Sequence, residues 1–386
     1  MKGGKSMLQF FTQCEKKENR RLGMTMIGKY IQGWNEIYNL HRYVSCYGKH
    51  ALVLIDTFFY STLKENLQKN FADSGLGFQA VEFSGEITKE KVEQYTELAE
   101  TCADVVIGIG GGKTMDSAKA AAEYAQKRCV IVPTSAASDA PCSSLSIIYD
   151  PQTNTREILR CRSNPDMVLV DSALLLTAPP RFLAAGIGDA MATYYEMQAC
   201  EAAGAYNWME GRFYRTLLSI QTAELCRKIL LKDGYKAMVS AREHIRSFAF
   251  ENVVEANILL SGLGFENTGC AGAHSISAGL AAVPECSFLL HGEKVAFGVL
   301  CQMVMENKEL EEIKEIRTLF KDIGLPVTLK DLGIQEERAR DAARAIAEKS
   351  LQSSFWDHEP FAVTGDMIFH TVIETDRISE WLERKR

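Results

Sequence analysis

Three side chains far apart in the chain are of the types that hold a divalent metal: Asp189, His274 and His291. A catalytic zinc commonly takes three nitrogen or oxygen ligands from the protein and keeps one position open, and one aspartate with two histidines supplies such a set. Asp189 follows the glycine-punctuated AAGIG and precedes AMATYYEMQAC, which places it near a helix start, where a helix cap is its ordinary alternative role. His274 in GCAGAHSISAGL and His291 in LLHGEKVAFG stand among small and apolar residues. A histidine so placed is more often a hydrogen-bonded core residue than a ligand. The two lie 17 positions apart, so they are not an i, i+4 pair on one helix and must converge from different elements. The spacing does not show that convergence. The remaining histidines have charged or mixed neighbours and receive no role.

A second chemistry-bearing segment is the turn Gly110, Gly111, Gly112, Lys113, Thr114, which follows DVVIGIG and opens MDSAKAAAEYA. Glycines without Cβ atoms let a diphosphate approach the backbone, and the N–H groups and dipole at a helix start favour negative charge. A bland tight turn is the competing reading. The Walker pattern fails because Ile107 stands where it needs glycine, and G-x-G-x-x-G fails as well. Asp56 ends the apolar run ALVLI, where a carboxylate accepts from ribose hydroxyls and repels a 2′-phosphate, favouring NAD over NADP; a helix cap is again the alternative.

These residues must be held by elements, and the elements are legible in outline. Continuous apolar runs at 51–55, 104–110, 129–135 and 167–172 alternate with helix-like sequence, which predicts strands buried on both faces in a parallel sheet. After Pro179 and Pro180 the texture turns to Ala, Leu, Glu, Met and Lys. There LEEIKEIRTLFKDI and ERARDAARAIAEKSL carry apolar residues at three- and four-residue intervals, as amphipathic helices do. The reading is an N-terminal extension over 1–23, an α/β domain over 24–178 and an all-α domain over 179–386, a division that suits 386 residues.

Composition narrows the function classes. A net charge of −7 gives no basic field for a nucleic-acid backbone. No apolar run approaches the roughly 18 to 20 residues of a membrane span, and the basic opening has too short an apolar stretch for a secretory signal. The 11 cysteines, odd in number and without C-x-x-C spacing, fit reduced thiols in the cytoplasm. A small-molecule substrate is the expected partner.

Five segments in order, GGGKTMDSAKA, PTSAASDAPCSSLSIIY, GIGDAMATYYEMQAC, GFENTGCAGAHSISAGL and HGEKVAFGVL, resemble glycerol dehydrogenases of the iron-containing alcohol dehydrogenase superfamily over approximately residues 24–375. The resemblance implies a Rossmann-like NAD-binding domain, a helical metal- and substrate-binding domain with a deep cleft between them, and homo-oligomers, often octamers. It implies that Asp189, His274 and His291 hold one catalytic zinc, with Fe2+ the lesser alternative, and that Asp139 joins them in contacting substrate. Nucleotide-contacting positions fall on Thr134, Ser135, Ser143, Leu145 and Tyr149, beside the Gly110–Thr114 turn, Asp116 and Asp56. Two departures stand out: Ser277 replaces a second histidine common in the family, and PECSFLL replaces a threonine and histidine before HGEK. The implied reaction is therefore NAD-linked oxidation of a vicinal diol or polyol, with glycerol to dihydroxyacetone its leading case.

Two rivals carry different expectations. A dehydroquinate synthase-like carbon–oxygen lyase needs a basic cluster for a phosphorylated substrate, and only Lys294 and Arg181 lie near the proposed ligands in sequence. A non-catalytic nucleotide-binding relative has no need of all three metal-binding side chains.

Overall fold

A computed structural model describes residues 20–151 and 155–384. The first part is a three-layer α/β unit. Its strands are β1 (Tyr30–Gly33), β2 (His50–Asp56), β3 (Gly77–Phe83), β4 (Val105–Gly110), β5 (Arg128–Pro133) and β8 (Met167–Asp171), with a hairpin of β6 (Leu145–Asp150) and β7 (Thr155–Arg160) set apart. Its longer helices are α1 (Thr57–Asp73), α2 (Lys89–Cys102) and α3 (Gly112–Tyr124). The six strands form one parallel sheet in the order β1-β8-β5-β4-β2-β3.

The four apolar runs read from the sequence are the four interior strands. Leu52 to Ile55, Val105 to Ile107, Val130 to Val132 and Met167 to Val170 are all shielded from solvent. The sequence reading lacked β1 and β3, and both are edge strands: their residues are mostly half-buried, so no continuous apolar run marks them. The β6–β7 hairpin was also absent from that reading.

From Pro180 onward the described chain is helical. It contains α4 (Pro180–Ala203), α5 (Leu217–Glu243), α6 (Phe248–Glu255), α7 (Ser261–Thr268), α8 (Gly272–Leu280), α9 (His291–Met305), α10 (Leu310–Ile323), α11 (Ala339–Ser350) and α12 (Gly365–Arg384). The segments LEEIKEIRTLFKDI and ERARDAARAIAEKSL lie on α10 and α11. They bury Ile313, Ile316, Leu319 and Phe320, and Ala342, Ala343 and Ile346. A π-helical stretch, Ala256–Leu260, links α6 to α7 and rephases the chain by a residue. No helix among the described residues is long and apolar enough to cross a membrane, and the described cysteines are free thiols.

Of the proposed extension, residues 1–19 lie outside the described residues. Residues 20–23 do not simply precede the α/β unit: Leu22 bridges to Tyr214, Gly23 N–H donates to the Tyr214 carbonyl and Arg20 pairs with Glu201, all in the helical half. Further bonds tie the halves together. Glu266 of α7 accepts from Ser144 and Asn164, and Asn267 bonds the backbone of Thr25 in both directions.

Candidate active site

The all-parallel sheet puts the carboxyl ends of its strands on one edge, the usual place for a ligand in an open α/β fold. Asp56 closes β2, Gly110 closes β4, and Thr134 follows β5, its N–H donating to the Gly110 carbonyl at 3.1 Å. A Cβ on Gly110 would lie 2.5 Å from Thr114 Oγ1 and 3.0 Å from the Asp56 Cβ, so this glycine is required by packing. A Cβ on Gly111 or Gly112 would meet nothing within 4 Å. Gly111 is the N-cap of α3 and supplies no side-chain cap. The turn is thus bare backbone facing open space at a helix start, which fits the diphosphate of a dinucleotide.

Not every side chain expected at this turn faces it. Lys113 pairs with Glu86, and Thr114 is buried with its hydroxyl toward Asp56. Asp56 also caps α1 by accepting from Phe58 N–H. Asp116 is turned into the protein: it pairs with the buried Lys119 at 2.8 Å and accepts the Ile147 N–H. Lys119 in turn donates to the carbonyls of Ala140 and Leu145. The D-x-x-K of the glycine-turn helix therefore anchors the loop that carries Asp139 and Ser143. The Ser143 hydroxyl is spent on the Ala140 carbonyl, Ser135 is half-buried beside Thr134, and Tyr149 is half-buried, its N–H bonded to Ile87.

The three metal-binding side chains converge. Their ligand atoms lie within 4.8 Å of one another, with Asp189 Oδ1 3.3 Å from His291 Nε2 and 3.7 Å from His274 Nε2. Small residues make this possible. A Cβ on Gly188 would lie 2.5 Å from the Gly292 carbonyl oxygen, one on Gly292 would lie 1.9 Å from that of Ala185, and one on Gly298 would lie 2.3 Å from that of Ala273. Helices α4, α9 and α8 thus touch backbone to backbone, bringing together Asp189, His291 and His274 respectively. Asp189 sits in the interior of α4 rather than at its cap.

Asp189 is buried, yet neither of its carboxylate oxygens makes a well-aligned hydrogen bond. An unsatisfied carboxylate in the interior is costly unless a cation or a set of donors compensates it. Burial alone raises its pKa, but the neighbouring histidines outweigh that and hold the carboxyl below the usual range. His274 shows the converse: burial opposes its charge, while Glu196, Cys270 and Asp189 raise it well above the ordinary value. The donor set fits a divalent cation with room for one more ligand, since His291 keeps 55% of its side chain exposed. Asp139 reaches the same place from the α/β half. Its Oδ2 accepts from Ser261 at 2.8 Å, and burial and the charge of Asp189 push it up to about 8 in the metal-free protein.

Residues 28–172 match the family model of the iron-containing alcohol dehydrogenases. A glycerol dehydrogenase of Escherichia coli is 40% identical over 361 residues, covering 92% of this chain and 98% of its own. One of Thermotoga maritima is 41% identical, covering 91% and 95%. The chain belongs to the iron-containing alcohol dehydrogenase family. A solved structure of a probable glycerol dehydrogenase from Sinorhizobium meliloti superposes with a TM-score of 0.86 at 37% identity, covering 94% of this chain and 99% of that one.

Around these residues lie side chains that sequence reasoning left out. Glu196 is fully buried and bonds His274 Nδ1 at 2.7 Å; it lies seven residues after Asp189, hence on the same helical face, but nothing in the spacing says that it meets a histidine. Ser261 holds Asp139 and is itself bonded to Thr193. Asn257 donates to the carbonyls of Ala136 and Leu183, fixing the loop after β5 to α4.

Proposed function

We propose that the protein is an NAD-dependent dehydrogenase that oxidises glycerol or a close vicinal diol to the hydroxyketone with the help of one divalent cation, zinc in preference to iron. The observation that carries the reading is the buried Asp189 carboxylate, whose oxygens make no well-aligned hydrogen bond, within reach of two imidazole nitrogens. Its relatives named glycerol dehydrogenase, which cover 92% and 91% of this chain, supply the substrate class.

Asp189, His274 Nε2 and His291 Nε2 would hold the cation, which when bound acts as a Lewis acid and eases loss of the proton from a substrate hydroxyl. The dinucleotide supplies the hydride acceptor. The chain's own side chains position the reactants. Ser261 holds Asp139 through Oδ2, and Asp139 would orient a substrate hydroxyl. The exposed backbone of Gly111 and Gly112 receives the diphosphate, and Asp56 at the end of β2 disfavours a 2′-phosphate. Arg181 is committed to both carboxylate oxygens of Glu293, which weighs against the lyase reading and its need for a basic phosphate cluster. The homo-oligomer implied by the resemblance is part of this proposal, and light scattering of the purified chain tests it.

The test is a screen of glycerol, 1,2-propanediol, dihydroxyacetone and simple alcohols with NAD or NADP, before and after chelation. NADH formation from glycerol or another diol, lost on chelation and restored by Zn2+, is expected. Full turnover by the thoroughly chelated protein, or activity confined to simple monohydric alcohols, refutes the proposal.

A further inference from the structure

Behind His274, on the side away from Asp189, lies a carboxylate with two duties. Glu196 of α4 is fully buried. Its Oε1 accepts the backbone N–H groups of Ala271 at 2.8 Å and His274 at 2.9 Å, and its Oε2 lies 2.7 Å from His274 Nδ1. Helix α8 has no side-chain cap of its own at Ala271, so a residue of another helix satisfies N–H groups that a helix start leaves without partners. Gln302 and Glu359 complete the arrangement by accepting from Ala273 and Gly272.

We propose that Glu196 is a positioning residue of the metal centre: by accepting the Nδ1 hydrogen of His274 it fixes the tautomer whose Nε2 lone pair faces Asp189 and His291. The inference rests on the metal reading given under Proposed function. Neutral imidazole carries one hydrogen on two nitrogens, and the hydrogen bond at one nitrogen decides the state of the other. With the Glu196 carboxylate, an acceptor, 2.7 Å from Nδ1, the hydrogen belongs on Nδ1 and Nε2 is left to ligate. The ring is also held against rotation, because the same carboxylate grips the backbone of the residue that bears it. Cys270 lies within 4.8 Å of these atoms, but the direct Glu196–His274 bond occupies the space between them that a second ion would need.

Glu196→Gln separates the two duties. Its amide carbonyl can still accept from Ala271 and His274, so the cap of α8 survives. Its amino group then faces Nδ1 as a donor, which favours the hydrogen on Nε2 and removes the ligating lone pair. The full chain is stripped with a chelator and titrated with Zn2+ against a chromophoric chelator, and with Co2+ followed by its visible absorption. The metal-free melting midpoint is recorded in parallel. The expected result is a roughly 10- to 100-fold weaker Zn2+ affinity and an altered Co2+ spectrum, with the metal-free midpoint unchanged. Glu196→Ala, which loses cap and acceptor together, should weaken Zn2+ binding at least as much and also lower the midpoint. Unaltered Zn2+ affinity in Glu196→Gln, or a loss matched by a fall in its metal-free midpoint, overturns the positioning role alone. If the unaltered chain takes up neither ion, the metal reading itself falls and this inference with it.

Discussion

Replacing Gly292 by alanine tests whether backbone contact between helices sets the geometry of the metal centre. The added Cβ would lie 1.9 Å from the Ala185 carbonyl oxygen and 2.6 Å from its carbon, both backbone atoms that cannot rotate away. Restoring ordinary contact near 3.4 Å requires about 1.5 Å of displacement between α4 and α9. Overpacking of this kind costs about 1 to 3 kcal/mol, which outweighs the gain of up to about 1 kcal/mol from replacing glycine in a helix. The displacement acts on the site directly, because Gly292 adjoins His291 and Ala185 lies one turn before Asp189 on α4. A shift near 1 Å in a catalytic constellation costs about 100-fold in rate. Gly234→Ala in α5 is the milder comparison: its Cβ would come no closer than 3.3 Å, to a terminal methyl of Leu319 rather than to backbone, so its packing cost should be well below that of Gly292→Ala. Chemical unfolding of the chelated proteins reads the packing cost, and Zn2+ titration with kcat/KM reads the site. If Gly292→Ala is as stable as the unaltered chain and binds Zn2+ equally well, close helix contact does not position the ligands.

Lys119→Met should destabilise the protein by about 3 to 5 kcal/mol in urea unfolding, because it strands the buried Asp116 charge; a loss below about 1 kcal/mol would show that the pair is dispensable. Asp56→Ala should cost about 1 kcal/mol through the lost cap on Phe58 and should raise kcat/KM with NADP relative to NAD; an unchanged cofactor ratio would remove Asp56 from cofactor selection. Burial first, then the Glu306 carboxylate and, after the opposing Gly272 hydrogen bond, that of Glu196, push Glu359 up to about 8 from its ordinary 4.5. The folded chain then holds more protons than the unfolded one between those values, so this group makes stability fall as pH rises across that window. Glu359→Gln should flatten the decline in chelated protein, and an identical slope would place the pH dependence elsewhere.

The sequence by itself determined the architecture's interior and the chemical inventory of the site. Four continuous apolar runs became the four central strands because a strand buried on both faces has no polar side to display. Three helices met by backbone contact because Gly188, Gly292 and Gly298 carry no side chain. The ligand types and the bare glycine turn could be read from residue identity alone, with the family resemblance joining them into one set. Edge strands β1 and β3 stayed hidden because partial exposure relaxes the demand for apolar residues that makes a strand visible.

Tertiary structure alone decided which side chains face which. Asp116 belongs to the glycine-turn motif, yet its carboxylate turns inward to Lys119, since a buried ammonium needs a counter-charge more than a solvated turn needs an acid. Glu196 looks like one more polar residue in a helix until α8 is packed against α4 and its carboxylate meets both a helix start and an imidazole. Hydrogen bonds act over about 3 Å and with fixed direction, whereas residue pattern specifies only which face is buried. Contacts between residues scores of positions apart therefore leave no periodic trace in the chain that encodes them.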